Sequence, residues 1–128
     1  SFVRAAGLGD AQTARLRQVH GGVVVDASAA VTNPVSADGV IRVARRGPAD
    51  PVPAVRTADC VAALIVDRNA TAVAALHAGW RGVAARIGSN AVARFADEGV
   101  DSGDLVVALG PTILGCCYEV GTEVVTAL

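Results

Sequence analysis

The chain has 128 residues, 52% of them hydrophobic, and a formal net charge of −1, which predicts one compact domain rather than a disordered chain. Alanine (26) and valine (22) supply most of the apolar side chains and aromatics only 3%, so the core must be built from small, stiff groups suited to closely layered sheets. All 11 basic residues are arginine, set against 12 carboxylates, and that balance leaves no basic field to hold nucleic acid or anionic lipid.

The first twenty residues read as a helix carrying Ala11, Ala14 and Leu16, stopped by Gly21 and Gly22. Residues 23–25 and 39–43 are β-branched runs bounded by turn formers and read as strands. Residues 45–53 contain Pro48, Pro51 and Pro53 and read as a surface loop. In residues 57–77 two apolar runs flank one polar turn. With Arg68 and Asn69 at the tip of a hairpin, Asp67 faces Ala70 and, further up the ladder, Cys60 faces His77. Opposed residues project on the same side of a sheet with Cβ atoms about 4.5–5.5 Å apart, so a thiolate and an imidazole placed this way can share one metal ion. Ala62, Leu64 and Val66 line the Cys60 side and Val61, Ala63 and Ile65 the other, which predicts burial on both faces.

Beyond His77, a helical pattern places Val83, Ile87, Ala91, Val92 and Phe95 on one face, and Gly99 stops it. The turn that feeds this helix carries Gly79 and Gly82. A helix start presents unpaired N–H groups and Arg81 adds a guanidinium, so an anion such as phosphate is favoured there. Residues 105–109 read as a further buried strand ended by Gly110 and Pro111, and residues 118–128 as a helix. No apolar run approaches the roughly 18–20 residues that span a bilayer, and the start shows no secretory pattern. A cytoplasmic location without a membrane partner is therefore expected. Cys60, Cys116 and Cys117 are odd in number and read as reduced thiols.

Each side chain also has a plainer reading. A lone histidine at a strand end is ordinarily a hydrogen-bonded structural residue. Asp59 is either a buried carboxylate capping nearby N–H groups or a proton-transfer group. Arg81 is an anion clamp or a structural cation. Cys116 and Cys117 are adjacent, lack metal-ligand spacing and read as packing. Trp80 reads as a core or pocket wall, and Tyr118 and Glu119 either line the site or pack a helix start.

Four motifs in order, Gln18-Val19-His20-Gly21, Thr57-Ala58-Asp59-Cys60, His77-Ala78-Gly79-Trp80-Arg81-Gly82, and Gly110-Pro111 through Cys116-Cys117-Tyr118-Glu119-Val120-Gly121, resemble those of the YfiH-like laccase-domain family, over essentially the whole chain. The resemblance implies an α/β (α+β) fold with mixed β-sheets layered between helices. It implies metal ligands at His20, Cys60 and His77; Gly79, Arg81, Gly82 and Tyr118 are the candidate substrate or phosphate contacts from the reading of the residues themselves. Family members are about twice as long, so residues 1–128 read as a single domain lacking N- and C-terminal parts. The implied activity is that of a Zn2+-dependent purine nucleoside phosphorylase with adenosine deaminase activity, taking phosphate with adenosine, inosine, guanosine or methylthioadenosine, and assembled as a homodimer.

Two imidazoles and one thiolate with an open position are typical of catalytic zinc, which can activate water, act as a Lewis acid or orient phosphate. Copper fits less well: laccase chemistry needs several coppers and more histidines than the two present here. In the zinc reading Cys60, His77, Asp59 and Arg81 form the catalytic group. The first alternative is a metal-free hydrolase or deamidase in which His77 activates Cys60. The second is a non-catalytic role in editing the cell wall (peptidoglycan) through a partner.

Overall fold

The computed structural model describes residues 12–44 and 51–128. Among them the strands are β1 (Leu16–Arg17), β2 (Val24–Asp26), β3 (Val35–Ser36), β4 (Gly39–Val43), β5 (Val61–Asp67), β6 (Ala72–Ala78) and β7 (Leu105–Leu109). The helices are α1 (Trp80–Ala84), α2 (Ile87–Asp97) and α3 (Thr122–Ala127), with 3-10 turns at Ala27–Ala30 and Ser102–Asp104. Five strands form a mixed sheet in the order β2-β4-β6-β5-β7, in which β2 and β4 run parallel and the other neighbours antiparallel. β1 and β3 form a small parallel pair.

One face of the large sheet is covered by α2. Ile87, Ala91 and Phe95 pack there against Ile41, Ile65, Ala74 and Leu76. The other face carries Val40 and Ala75, packed against Ala14, Ala27 and Ala30. Alanines in these layers let the elements approach closely, as the composition predicts. The result is the expected mixed α+β architecture with helices and mixed sheets.

Several elements differ from the sequence reading. The predicted N-terminal helix lies partly outside the described residues, and where it is described the chain is extended: Leu16 and Arg17 pair with Val35 and Ser36. Thr13 bridges Val52, so the end of the proline-rich segment is tied to the sheet layer. Its residues 45–50 lie outside the described part. The single helix predicted after Gly79 is two helices, because Arg86 adopts a left-handed backbone with φ 60°. That break turns Val83 and Val92 outward and lets Asn90 Nδ2 donate to the carbonyls of Gly22 and Ala85. The C-terminal helix begins at Thr122 rather than Tyr118.

The hairpin itself is slipped. Ala62, not Cys60, faces His77, and Val66 faces Val73. The cause is the Asp67 carboxylate, which accepts the N–H groups of Asn69 (3.0 Å) and Ala72 (2.6 Å) and so stabilises a wider loop in place of a two-residue tip. The displacement is two residues, and because side chains alternate with period two it keeps Cys60 on the same side of the sheet as His77. Burial on both faces of the hairpin is also corrected. Leu64 is 53% exposed, and β7, predicted as buried, is an edge strand whose Leu109 is 69% exposed.

Asp67 is itself only 2% exposed. Burial alone would raise its pKa. The N–H of Ala72, the Thr71 side chain and the N–H groups of Asn69 and Thr71 outweigh that and hold it below the ordinary 3.8. A carboxylate with a depressed folded pKa stabilises the fold above its unfolded pKa, and that contribution is lost as pH falls through the folded value. Asp67→Asn is expected to destabilise by roughly 1–3 kcal/mol at pH 7. It should also flatten the loss of stability below about pH 4. Urea unfolding of both proteins at pH 7 and pH 3 measures this; parallel pH profiles would remove Asp67 as the cause.

Candidate metal centre

Three segments converge at one end of the central sheet. His77 lies near the end of β6, Cys60 immediately precedes β5, and His20 sits in the loop between β1 and β2. One ligand atom from each lies within 4.8 Å of the other two. The imidazoles meet edge-on, with ring centroids 4.7 Å apart and planes at 78°, so both rings can direct a nitrogen at a common point without stacking. A tetrahedral cation bound about 2.3 Å from sulfur and 2.0–2.1 Å from nitrogen sets its donors roughly 3.5 Å apart. Small side-chain rotations close the set to that spacing, and the donor chemistry fits a cation of intermediate softness.

The loop bearing His20 is held by a residue the sequence reading missed. Asp38, just before β4, is fully buried. Its carboxylate accepts N–H groups from Val19 (3.1 Å), His20 (2.9 Å) and Gly21 (2.7 Å). Three successive N–H groups make a concave anion cradle, and His20 within it takes a left-handed backbone with φ 59°. The same carboxylate lies 2.8 Å from His77 Nδ1. Burial works to raise the Asp38 pKa; the hydrogen bonds from His77, Gly21, Val19 and His20 outweigh it and hold the carboxyl below its ordinary value. The ionised oxygen accepts the Nδ1 proton, which leaves the Nε2 lone pair of His77 free for a metal. Asp38 therefore positions one histidine by its backbone and the other by its ring. Its signal in the sequence is a carboxylate set directly against the apolar run of β4.

Two glycines keep this junction tight. A methyl at Gly79 would lie 3.0 Å from Cys60 Sγ and 3.2 Å from His20 Cδ2, and one at Gly82 would lie 3.0 Å from the Gly21 carbonyl. The loop of His20, the thiol and the start of α1 are thus in direct contact.

A 480 Å3 cavity opens over the centre, lined by Arg17, Gln18, His20, Arg56, Asp59, Cys60 and His77 among others. A second, of 230 Å3 and more apolar, shares Asp59 and Cys60 and is walled by Gly79, Trp80, Thr112 and Tyr118. Asp59 is exposed, and its carbonyl accepts from Thr112 Oγ1 and the Ile113 N–H. Arg81 lies over the Trp80 ring, 4.2 Å from its centroid, and does not line the larger cavity. Cys116 and Cys117 are exposed, with sulfurs 3.4 Å apart, and neither lines the two cavities.

A family model described as multi-copper polyphenol oxidoreductase laccase matches residues 1–128. The chain belongs to that family. Within this laccase-domain family it resembles the purine nucleoside phosphorylase slr1573 of Synechocystis, 39% identical over 83% of this chain and 41% of the relative. It is also similar to the adenosine deaminase RL5 of an unknown prokaryotic organism, 45% identical over 57% of this chain and 28% of the relative. Among solved structures, protein NMB0706 of Neisseria meningitidis superposes with a TM-score of 0.84 at 36% identity, covering 98% of this chain and 48% of that one. The chain thus spans less than half the length of these laccase-domain relatives. The chain holds two histidines and no methionine, and among the described residues the group that could hold a metal is His20, Cys60 and His77.

Proposed function

We propose that this chain carries the zinc centre of a cytoplasmic purine nucleoside phosphorylase with adenosine deaminase activity. The observation that carries the reading is the three-donor group of His20, Cys60 and His77 at the floor of a cavity large enough for a nucleoside. Three protein ligands leave one position open, the arrangement of catalytic rather than structural zinc. The names of the Synechocystis and RL5 relatives supply the substrate class. Adenosine, inosine, guanosine and methylthioadenosine are the candidate nucleosides, with phosphate as the second substrate.

Zinc, when bound, supplies Lewis acidity at the open position. The chain's own residues do the rest. Phosphorolysis breaks the bond between the sugar's anomeric carbon and the base and forms a carbon–oxygen bond to phosphate, and the departing base needs a proton. Asp59 is the carboxylate that lines both cavities, and its role in this reading is that proton transfer. Trp80, backed by Arg81, and Tyr118 offer aromatic faces for a purine in the smaller cavity. Gly79 and Gly82 let those walls close on the centre. Deamination at the same site would replace the exocyclic amine of adenosine by water oxygen and release ammonia.

The test pairs elemental analysis of the purified protein with chromatography of bases released from nucleosides. About one zinc per chain and phosphate-dependent release of hypoxanthine or adenine are expected. A metal-free protein with full activity, or a zinc-loaded one that releases no base, would overturn the reading.

A further inference from the structure

Charge in the larger cavity is unevenly distributed. Two basic residues, Arg17 and Arg56, line it, and Asp59 is the one acidic residue that does. Among the described residues neither guanidinium makes an ion pair or a side-chain hydrogen bond. Two cationic residues lining one cavity make it favourable to an anion.

The backbones that carry them are firmly joined. Gln18 Nε2 donates to the Arg56 carbonyl at 2.8 Å, and its Oε1 accepts the Arg56 N–H at 2.9 Å. One side-chain amide thus supplies both bonds of a ladder rung between segments 38 residues apart. It fixes the backbone of Arg56 beside the end of β1, where Arg17 lies three residues before His20. A surface arginine kept for solubility needs no such anchorage.

We infer that Arg17 and Arg56 form an oxyanion subsite beside the His20–Cys60–His77 centre, and that its ligand is inorganic phosphate. Guanidinium presents paired donors that match two oxygens of a phosphate, in a geometry lysine cannot reproduce. The naming of phosphate rests on the phosphorolysis reading; the anion subsite itself rests on the two unpaired guanidiniums and their anchorage. The inference places the phosphate contact at these two residues, while Arg81 remains stacked on Trp80 on the other side of Cys60.

Both side chains are exposed, so Arg17→Gln, Arg56→Gln and the double variant should fold as the parent does. Two readouts are taken with inorganic phosphate: its binding by titration calorimetry, and its KM in base release from inosine. Each single variant is expected to weaken phosphate about 10-fold or more and to leave the nucleoside KM unchanged. Arg56→Lys should recover only part of the loss. Phosphate binding that is lost in the double variant, in a protein that releases no base, supports the subsite and ends the phosphorolysis reading. Phosphate-dependent base release with the same phosphate KM in parent and double variant overturns the subsite and leaves that reading standing. A parent protein that binds no phosphate overturns the subsite as well.

Discussion

Replacing Asp38 by Asn is expected to lower the affinity of the chain for zinc by about 10- to 100-fold without unfolding it. The carboxylate accepts three backbone N–H groups and faces the Nδ1 atom of His77. Asparagine has the same shape but only one acceptor oxygen. If that oxygen serves the cradle of Val19, His20 and Gly21, the amide NH2 is turned toward His77 Nδ1 and must donate to it. The ring proton then moves to Nε2, and the lone pair that would hold the metal is lost. Asp38→Ala goes further. It leaves the ring and the cradle with no acceptor and is expected to cost about 1–3 kcal/mol of stability or more, the penalty of buried donors left unpaired. Zinc competition against a chromophoric chelator, with thermal melts alongside, separates the two variants. Unchanged zinc affinity in a folded Asp38→Asn protein would show that Asp38 does not set the tautomer.

The contrast between Asp38 and Cys60 shows what a sequence can disclose about this fold. Cys60 and His77 were legible as partners because they sit at the ends of two apolar runs around one turn. The slip of two residues preserves the face, so both side chains stay on one side of the sheet. A two-residue tip makes Asp67 a ladder residue, whereas its carboxylate organises the loop. Asp38 shows in the sequence only as a carboxylate beside an apolar run; its role depends on His77, 39 residues away, and on a loop that folds back over it. No glycine or proline marks the break at Arg86, so the helix after Gly79 read as continuous. β7 read as buried because Leu105-Val106-Val107-Ala108-Leu109 is wholly apolar. Composition gives a strand's character, but its burial depends on which element covers it.

His20→Asn is expected to abolish zinc binding and base release as completely as Cys60→Ala does, by on the order of 100-fold or more, since even the loss of an outer partner reaches that range. This comparison decides between the two chemistries the centre admits. Asp38, His77 and Cys60 are in the right order for an orienting carboxylate, a base and a nucleophile, so a metal-free thiol mechanism would use them equally well. Such a mechanism has no use for His20. Yet His20 is held in a left-handed backbone that non-glycine residues adopt at some cost, by the same carboxylate that orients His77. A ligand role for the second imidazole accounts for that placement, and the His20→Asn comparison tests it. Asparagine is the suitable replacement because it tolerates the left-handed region while removing the ring nitrogen, so a loss of function is not a loss of the loop. In the parent protein a chelator should stop the reaction and leave Cys60 open to a thiol reagent. If His20→Asn keeps full activity where Cys60→Ala has none, and chelation changes nothing, the reaction belongs to the thiol and the metal has no part in it.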